Sequence, residues 1–163
     1  MNRELDTAEV IGLLALDHER IHQQLEDFQN IAHADDWEHA DRVFRRLEVL
    51  IERHMYFEEH DAFPLFEQHM SLSPCVGGIQ TMRQQHLAIR DALEEAGLGL
   101  QLHHLREQSV VALSESVLAH TRDEDDWARA MAECMRKSPA EAHTTLDRLR
   151  DLVAARILRS AAR

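Results

Sequence analysis

Apolar residues recur at spacings of three and four along four stretches of the chain, the period of one face of an α-helix. The first stripe carries Val10, Leu14, His18, Ile21, Leu25 and Phe28. The second carries Trp37, Ala40, Phe44, Leu47, Ile51, His54, Glu58 and Ala62. Ile79, Met82, His86, Ile89, Leu93 and Ala96 form the third; Leu113, Val117, His120, Glu124, Trp127 and Met131 form the fourth. No stretch alternates as a strand would. The pattern predicts helices near residues 7–32, 36–69, 76–96, 101–137 and 139–160. Capping-box spacing at Asp6–Glu9, Asp35–Glu38 and Ser138–Glu141 marks helix starts, the last with Pro139 at the first helical position. Gly97 and Gly99 are read as closing the third helix, SLSPCVGG (71–78) as a loop, and Pro64 as a kink or an end in the second helix. Four inward-facing stripes with short connections predict an all-α fold. It is an antiparallel up-down four-helix bundle over residues 1–137, with an additional C-terminal helix over 138–163.

Six of the stripe positions are not apolar. His18, His54, Glu58, His86, His120 and Glu124 would each cost free energy if buried alone. His54 and Glu58 are four apart, about 6 Å along one helix face, and so are His120 and Glu124. Counting residues to the turns allows all six to share one layer. Four imidazoles and two carboxylates converging inside a bundle suit a pair of transition-metal ions, because a carboxylate can bridge two ions and imidazole accepts iron, zinc or copper. Any one of these histidines, taken singly, is more simply a core or half-exposed residue, and an HxxxE pair is often only a helix contact. The six together change that balance.

An internal repeat strengthens it. HERIHQQL (18–25) matches HLAIRDAL (86–93), and HMYFEE (54–59) matches HTRDED (120–125). Each half supplies one lone histidine and one HxxxE pair, which predicts a pseudo-twofold bundle with a dinuclear site on its axis. His22, one turn beyond His18, and His39 are further ligand candidates. His33, His60, His69, His103, His104 and His143 fit surface or turn positions. Glu59 and Asp125 are read as solvated acids, with a supporting or substitute ligand role as the alternative. Trp127 is expected to wall the pocket, and Tyr56 to point away from it.

Composition adds limits. The net charge is −12, which argues against a nucleic-acid partner, since phosphates need a basic surface. The run VIGLLAL (10–16) is too short to span a membrane. No signal peptide is evident, so a cytoplasmic location is expected. Cys75 and Cys134 form no CxxC pair.

The ordered set His18, His54-xxx-Glu58, His86, His120-xxx-Glu124 resembles the hemerythrin-like, HHE cation-binding family, and EEHDAFPLF (58–66) resembles that family's continuation after its first HxxxE. The resemblance covers about residues 7–137 and implies two non-haem iron ions bridged by the two glutamates, with the four histidines as terminal ligands. It implies a small-molecule ligand such as O2, NO or peroxide, bound or sensed at the iron pair. The alternative is an enzyme or repair protein that reduces peroxide or NO or delivers iron to iron–sulfur clusters, or else an iron store. Oxygen carriers of the family have a fifth histidine where this chain has Met82, and their closing HxxxxD register would engage Asp125 in competition with Glu124. An electron-transfer motif is lacking, which favours binding and sensing. The C-terminal helix carries Leu146, Leu149, Val153 and Ile157 as a narrow stripe, with three acids against five arginines over 138–163. It is expected to pack on its own bundle or to serve as a homodimer surface.

Overall fold

Trp37 opens a helix because Asp36 caps it. The Asp36 carboxylate accepts from the His39 backbone N–H at 3.0 Å, satisfying one of the orphan donors of the first turn. The cap thus falls one residue later than the expected Asp35. The computed structural model describes residues 7–32, 34, 36–69, 76–137 and 139–154; the caps expected at Asp6 and Ser138 lie outside them. Helix α1 is Thr7–Ile31 and α2 is Trp37–Phe57. A π-helical turn, Glu58–Ala62, carries the chain on into α3, Phe63–His69. Then come α4, Val76–Gln101, α5, Glu107–Lys137, and α6, Pro139–Ala154. No strand occurs among the described residues, and no helix among them is long and apolar enough to cross a membrane.

Three local expectations are resolved. Pro64 lies at a disturbance, as expected: α2 ends at Phe57 and a π-turn leads into α3, whose second residue is Pro64. In a regular helix its ring would crowd the carbonyl four residues back; here the turn before it is widened, and the Phe63 N–H reaches the Glu58 carbonyl five residues back. Gly97 and Gly99 do not close α4, which runs on to Gln101 while α5 starts only at Glu107. A Cβ on Gly97 would sit 3.2 Å from the Phe44 ring, and one on Gly99 3.1 Å from the Leu105 Cα, so both glycines permit close approach. The helix is closed by His103 instead, at φ 50°. The N–H groups of His103 and His104 cap the Leu100 and Gly99 carbonyls, the hydrogen-bond pattern of a Schellman motif. Third, residues 76–78, claimed both by the helix expected from 76 and by the loop composition, are helical, and 70–75 lie outside the described residues.

The helices pair antiparallel around a ring. Phe28 meets Phe44 and His18 meets His54 across α1 and α2. His22 meets Thr121 and His18 meets Glu124 across α1 and α5. Glu95 meets Ser109 and Gln85 meets Asp123 across α4 and α5. Arg90 meets Glu52 and His86 meets Glu59 across α2 and α4 with its adjoining turn. Every apolar position of the four stripes is buried except Trp37, which is half-buried.

The core is divided in two. Ile21, Leu25, Phe28, Phe44, Leu47, Ile51, Ile89, Leu93, Leu113 and Val117 fill one end. Val10, Leu14, Phe57, Phe63, Phe66, Trp127 and Met131 fill the other. Helix α6 closes that second end with Ala142, Leu146, Leu149 and Leu152. Arg150 pairs with Glu9, Arg148 with Asp61, and Arg20 donates to the Val153 carbonyl. The anchors Leu146, Leu149 and Val153 are thus buried within the chain, while Ile157 lies outside the described residues.

Candidate metal centre

Between the two apolar clusters lies a polar layer. His18 comes from α1, His54 from α2, Glu58 from the π-turn, His86 from α4, and His120 and Glu124 from α5. All six are buried, and Glu58, His86 and Glu124 have no exposed surface. The stripes made this inevitable: each residue occupies a core position of an otherwise apolar helix face. Ring centroids lie 5.0 Å apart for His18 and His54 and 4.7 Å apart for His86 and His120, with 5.9 Å between His54 and His120. Ligand atoms of His54, Glu58, His120 and Glu124 lie within 4.8 Å of one another.

The six sort into two trios, each crossing between the sequence halves. His18 Nε2 and His54 Nε2 lie 2.7 and 3.0 Å from Glu124 Oε2. His86 Nε2 and His120 Nε2 lie 2.9 and 3.3 Å from Glu58 Oε2. Each glutamate also stands one helical turn from the histidine of its own HxxxE pair, at 3.7 Å for His54–Glu58 and 3.8 Å for His120–Glu124. Each carboxylate therefore faces imidazoles of both trios.

A second ring fixes the imidazoles by their other nitrogen. His18 Nδ1 faces Asp125 at 3.3 Å and His54 Nδ1 faces Asp17 at 3.1 Å. His86 Nδ1 faces Glu59 at 2.7 Å and His120 Nδ1 faces the Gln85 amide oxygen at 3.2 Å. Such partners keep the proton on Nδ1, so that Nε2, which in the metal-free chain donates to a glutamate oxygen, would be the nitrogen free to hold a cation. Glu59 and Asp125 are therefore not merely solvated acids, as expected, but the supports of His86 and His18. Asp17 and Gln85 were not anticipated. Each immediately precedes a lone histidine, at equivalent positions of the repeat, but one is an acid and the other an amide, so the repeat does not single them out.

The electrostatics are those of a concentrated charge cluster. Burial alone would lower the His54 pKa, but Glu124, Glu58 and Asp17 overcome it and raise it well above the ordinary 6.5. Burial opposes ionisation of Glu124, but His54 and His18 hold its carboxyl well below the ordinary 4.5. For His18, too, burial is outweighed by Glu124. Even so, Glu58 Oε1, Glu124 Oε1 and His120 Nε2 are buried with no hydrogen-bond partner; the 3.3 Å approach of His120 to Glu58 lacks hydrogen-bond geometry. Three orphaned atoms from residues that all ligate metals, buried in one layer, fit cations.

The family model for the hemerythrin HHE cation binding domain matches residues 9–132. The chain belongs to the hemerythrin HHE family. No curated protein and no solved structure matches it. As a hemerythrin-like, cation-binding protein it places the remaining candidates outside the cluster. His22, half-buried, bonds Thr121 at 2.8 Å, and His39 is exposed at the start of α2. Met82, where oxygen carriers have their fifth histidine, is buried in the apolar cluster beside Val10 and Trp127. His60, His103, His104 and His143 are exposed; His33 and the His69 side chain lie outside the described residues. Tyr56 is exposed and stacks on His60. Trp127 packs on Phe63, whose ring stacks on His86, so it walls the site at one remove.

Proposed function

We propose that this hemerythrin-like protein holds two iron ions and binds or senses a small molecule such as O2 or NO with them. His18 and His54 would serve one ion, His86 and His120 the other, and Glu58 and Glu124 would span both. The observation that carries this reading is the set of orphaned buried atoms, Glu58 Oε1, Glu124 Oε1 and His120 Nε2, in a layer that is otherwise a satisfied network. When bound, an iron pair supplies redox-active Lewis-acidic centres for which a diatomic ligand competes. The chain's own part is to orient, insulate and admit. Asp17, Asp125, Glu59 and Gln85 orient the imidazoles. The two apolar clusters exclude bulk water from above and below. A surface groove of about 380 Å³, lined by Ala15, His18, Glu19, His22 and Asp125, reaches the edge of His18 and offers a small ligand its path.

The test has two parts. Anaerobic loading with ferrous iron is expected to give two irons per chain, lost in His54→Ala and His120→Ala and kept in His143→Ala. A ratio near one or zero in a fully helical protein refutes the dinuclear reading. The visible spectrum of the reduced, loaded protein is then followed on adding air, NO and peroxide. A change that reverses on removing the gas supports binding or sensing; steady consumption of peroxide or NO with no reversible change favours an enzyme instead.

A further inference from the structure

The outer ring obeys the same pseudo-twofold plan as the inner one, but its charges do not. On one side, His18 and His54 are backed by Asp125 and Asp17. Both are carboxylates, and among the described residues neither pairs with an arginine or lysine. Asp17 is itself buried, only 3 % of its side chain being exposed. On the other side, Glu59 backs His86, but the Arg90 guanidinium grips both of its oxygens, at 3.0 and 3.2 Å. His120 is backed by a neutral amide, and Gln85 is locked in that orientation because its NH2 donates to Asp123 at 2.7 Å. One side of the layer thus carries a buried, unpaired carboxylate, Asp17, behind His54 and an exposed, water-screened one, Asp125, behind His18. The opposite side carries one neutralised carboxylate and one amide.

We infer that the two cation positions are unequal, the His18–His54 position binding first and more tightly, and that Asp17 and Arg90 are the positioning residues that set the difference. This rests on the two-cation reading given above. The reasoning is local. An imidazole whose Nδ1–H donates to a full carboxylate is a more basic donor at Nε2, and the carboxylate's charge also attracts the cation across the ring. An amide oxygen orients the ring without adding charge. A carboxylate already paired with a guanidinium adds little. Outer partners of this kind change metal affinity by roughly 10–100-fold, so the two binding steps should separate by about that factor. The inner ligands are alike in type, two histidines at each position and the same two glutamates, so the difference in charge lies in the outer ring.

The test uses the full chain, stripped of metal and titrated anaerobically with Co²⁺ alone, followed by calorimetry and by the visible bands of bound cobalt. The wild type is expected to bind two Co²⁺ in two separable steps, the first about 10–100-fold tighter. Asp17→Asn keeps the hydrogen bond to His54 and removes only the charge; it should weaken the first step about tenfold or more and leave the second in place. Arg90→Gln, at a partly exposed position, should tighten the second step and leave the first. A merely structural role for Asp17 would weaken both steps together, and circular dichroism shows whether the variant keeps its helices. Two Co²⁺ bound in a single step, or an Asp17→Asn effect confined to the second step, overturns the inference. A wild-type total below two overturns the two-cation reading and the inference with it.

Discussion

Removing the cations should leave a folded but weakened bundle, and the size of the loss follows from atoms already named. Without metal, the Oε2 atoms of Glu58 and Glu124 are served by histidines. Glu58 Oε1, Glu124 Oε1 and His120 Nε2 are not served at all. A buried polar atom left without a partner costs about 1–3 kcal/mol, so satisfying these three is worth on the order of 3–9 kcal/mol at saturating cation. In a domain of this size each kcal/mol moves the melting temperature by about 2–4 °C, so loading should raise it by at least about 6 °C. The gain must also climb with the logarithm of free cation, since it arises by linkage. Scanning calorimetry of the metal-stripped protein, in chelator and then at rising Co²⁺ or anaerobic Fe²⁺, measures both. A shift below about 3 °C with two ions bound would refute the claim that those atoms are orphaned in the folded chain.

Other perturbations test the frame around the site. Leu149→Ala, at a fully buried position of α6, should cost about 2–5 kcal/mol by denaturant unfolding while metal stoichiometry stays at the wild-type value. A chain ending at Lys137 should likewise lose stability yet retain its cations; complete loss of iron from a still-helical product would mean that the site reaches into α6. In the metal-free protein, raised His54 and His18 contribute stability that is full below about pH 6.5 and lost as pH climbs through their folded values, whereas Glu124 contributes stability that is lost as pH falls below about 4.5 through its depressed value. Thermal melts in chelator should therefore fall as pH rises above about 6.5, and a flat or rising curve would contradict the charge cluster. Gly12→Ala, with nothing within 4 Å of the new methyl, should stabilise α1 by about 0.5–1 kcal/mol, a gain that Gly99→Ala forfeits against the Leu105 backbone.

The stripes carried most of the architecture because burial is periodic and the period survives in the sequence. Their six polar interruptions mark the buried polar layer for the same reason: a His or Glu at a core position has no cheap alternative. What stayed hidden depended on partners from elsewhere in the chain. Nothing local distinguishes Gly97 from a helix-ending glycine; only Phe44, on another helix, does so. Pro64 announces a disturbance but not its form, and a π-turn differs from a kink by where one N–H bonds. Asp17 and Gln85 sit about 100° around their helices from the histidines they precede. They look like ordinary polar flanks until α2 and α5 are set beside them.

The crossing of the two trios bears on how such a bundle is divisible. Each sequence half is a helical hairpin that brings two histidines to one place, yet the carboxylate nearest that pair belongs to the other hairpin. A hairpin made alone keeps its own glutamate only at the longer 3.7 or 3.8 Å approach, to one of its two imidazoles. Half of this protein is accordingly not half of a metal site. Two separately produced fragments, broken between α3 and α4, would each hold cations poorly and would recover the centre only by exchanging glutamates. Metal capture would then report reassembly of the halves, and neither hairpin could have carried the present site without a second copy to face.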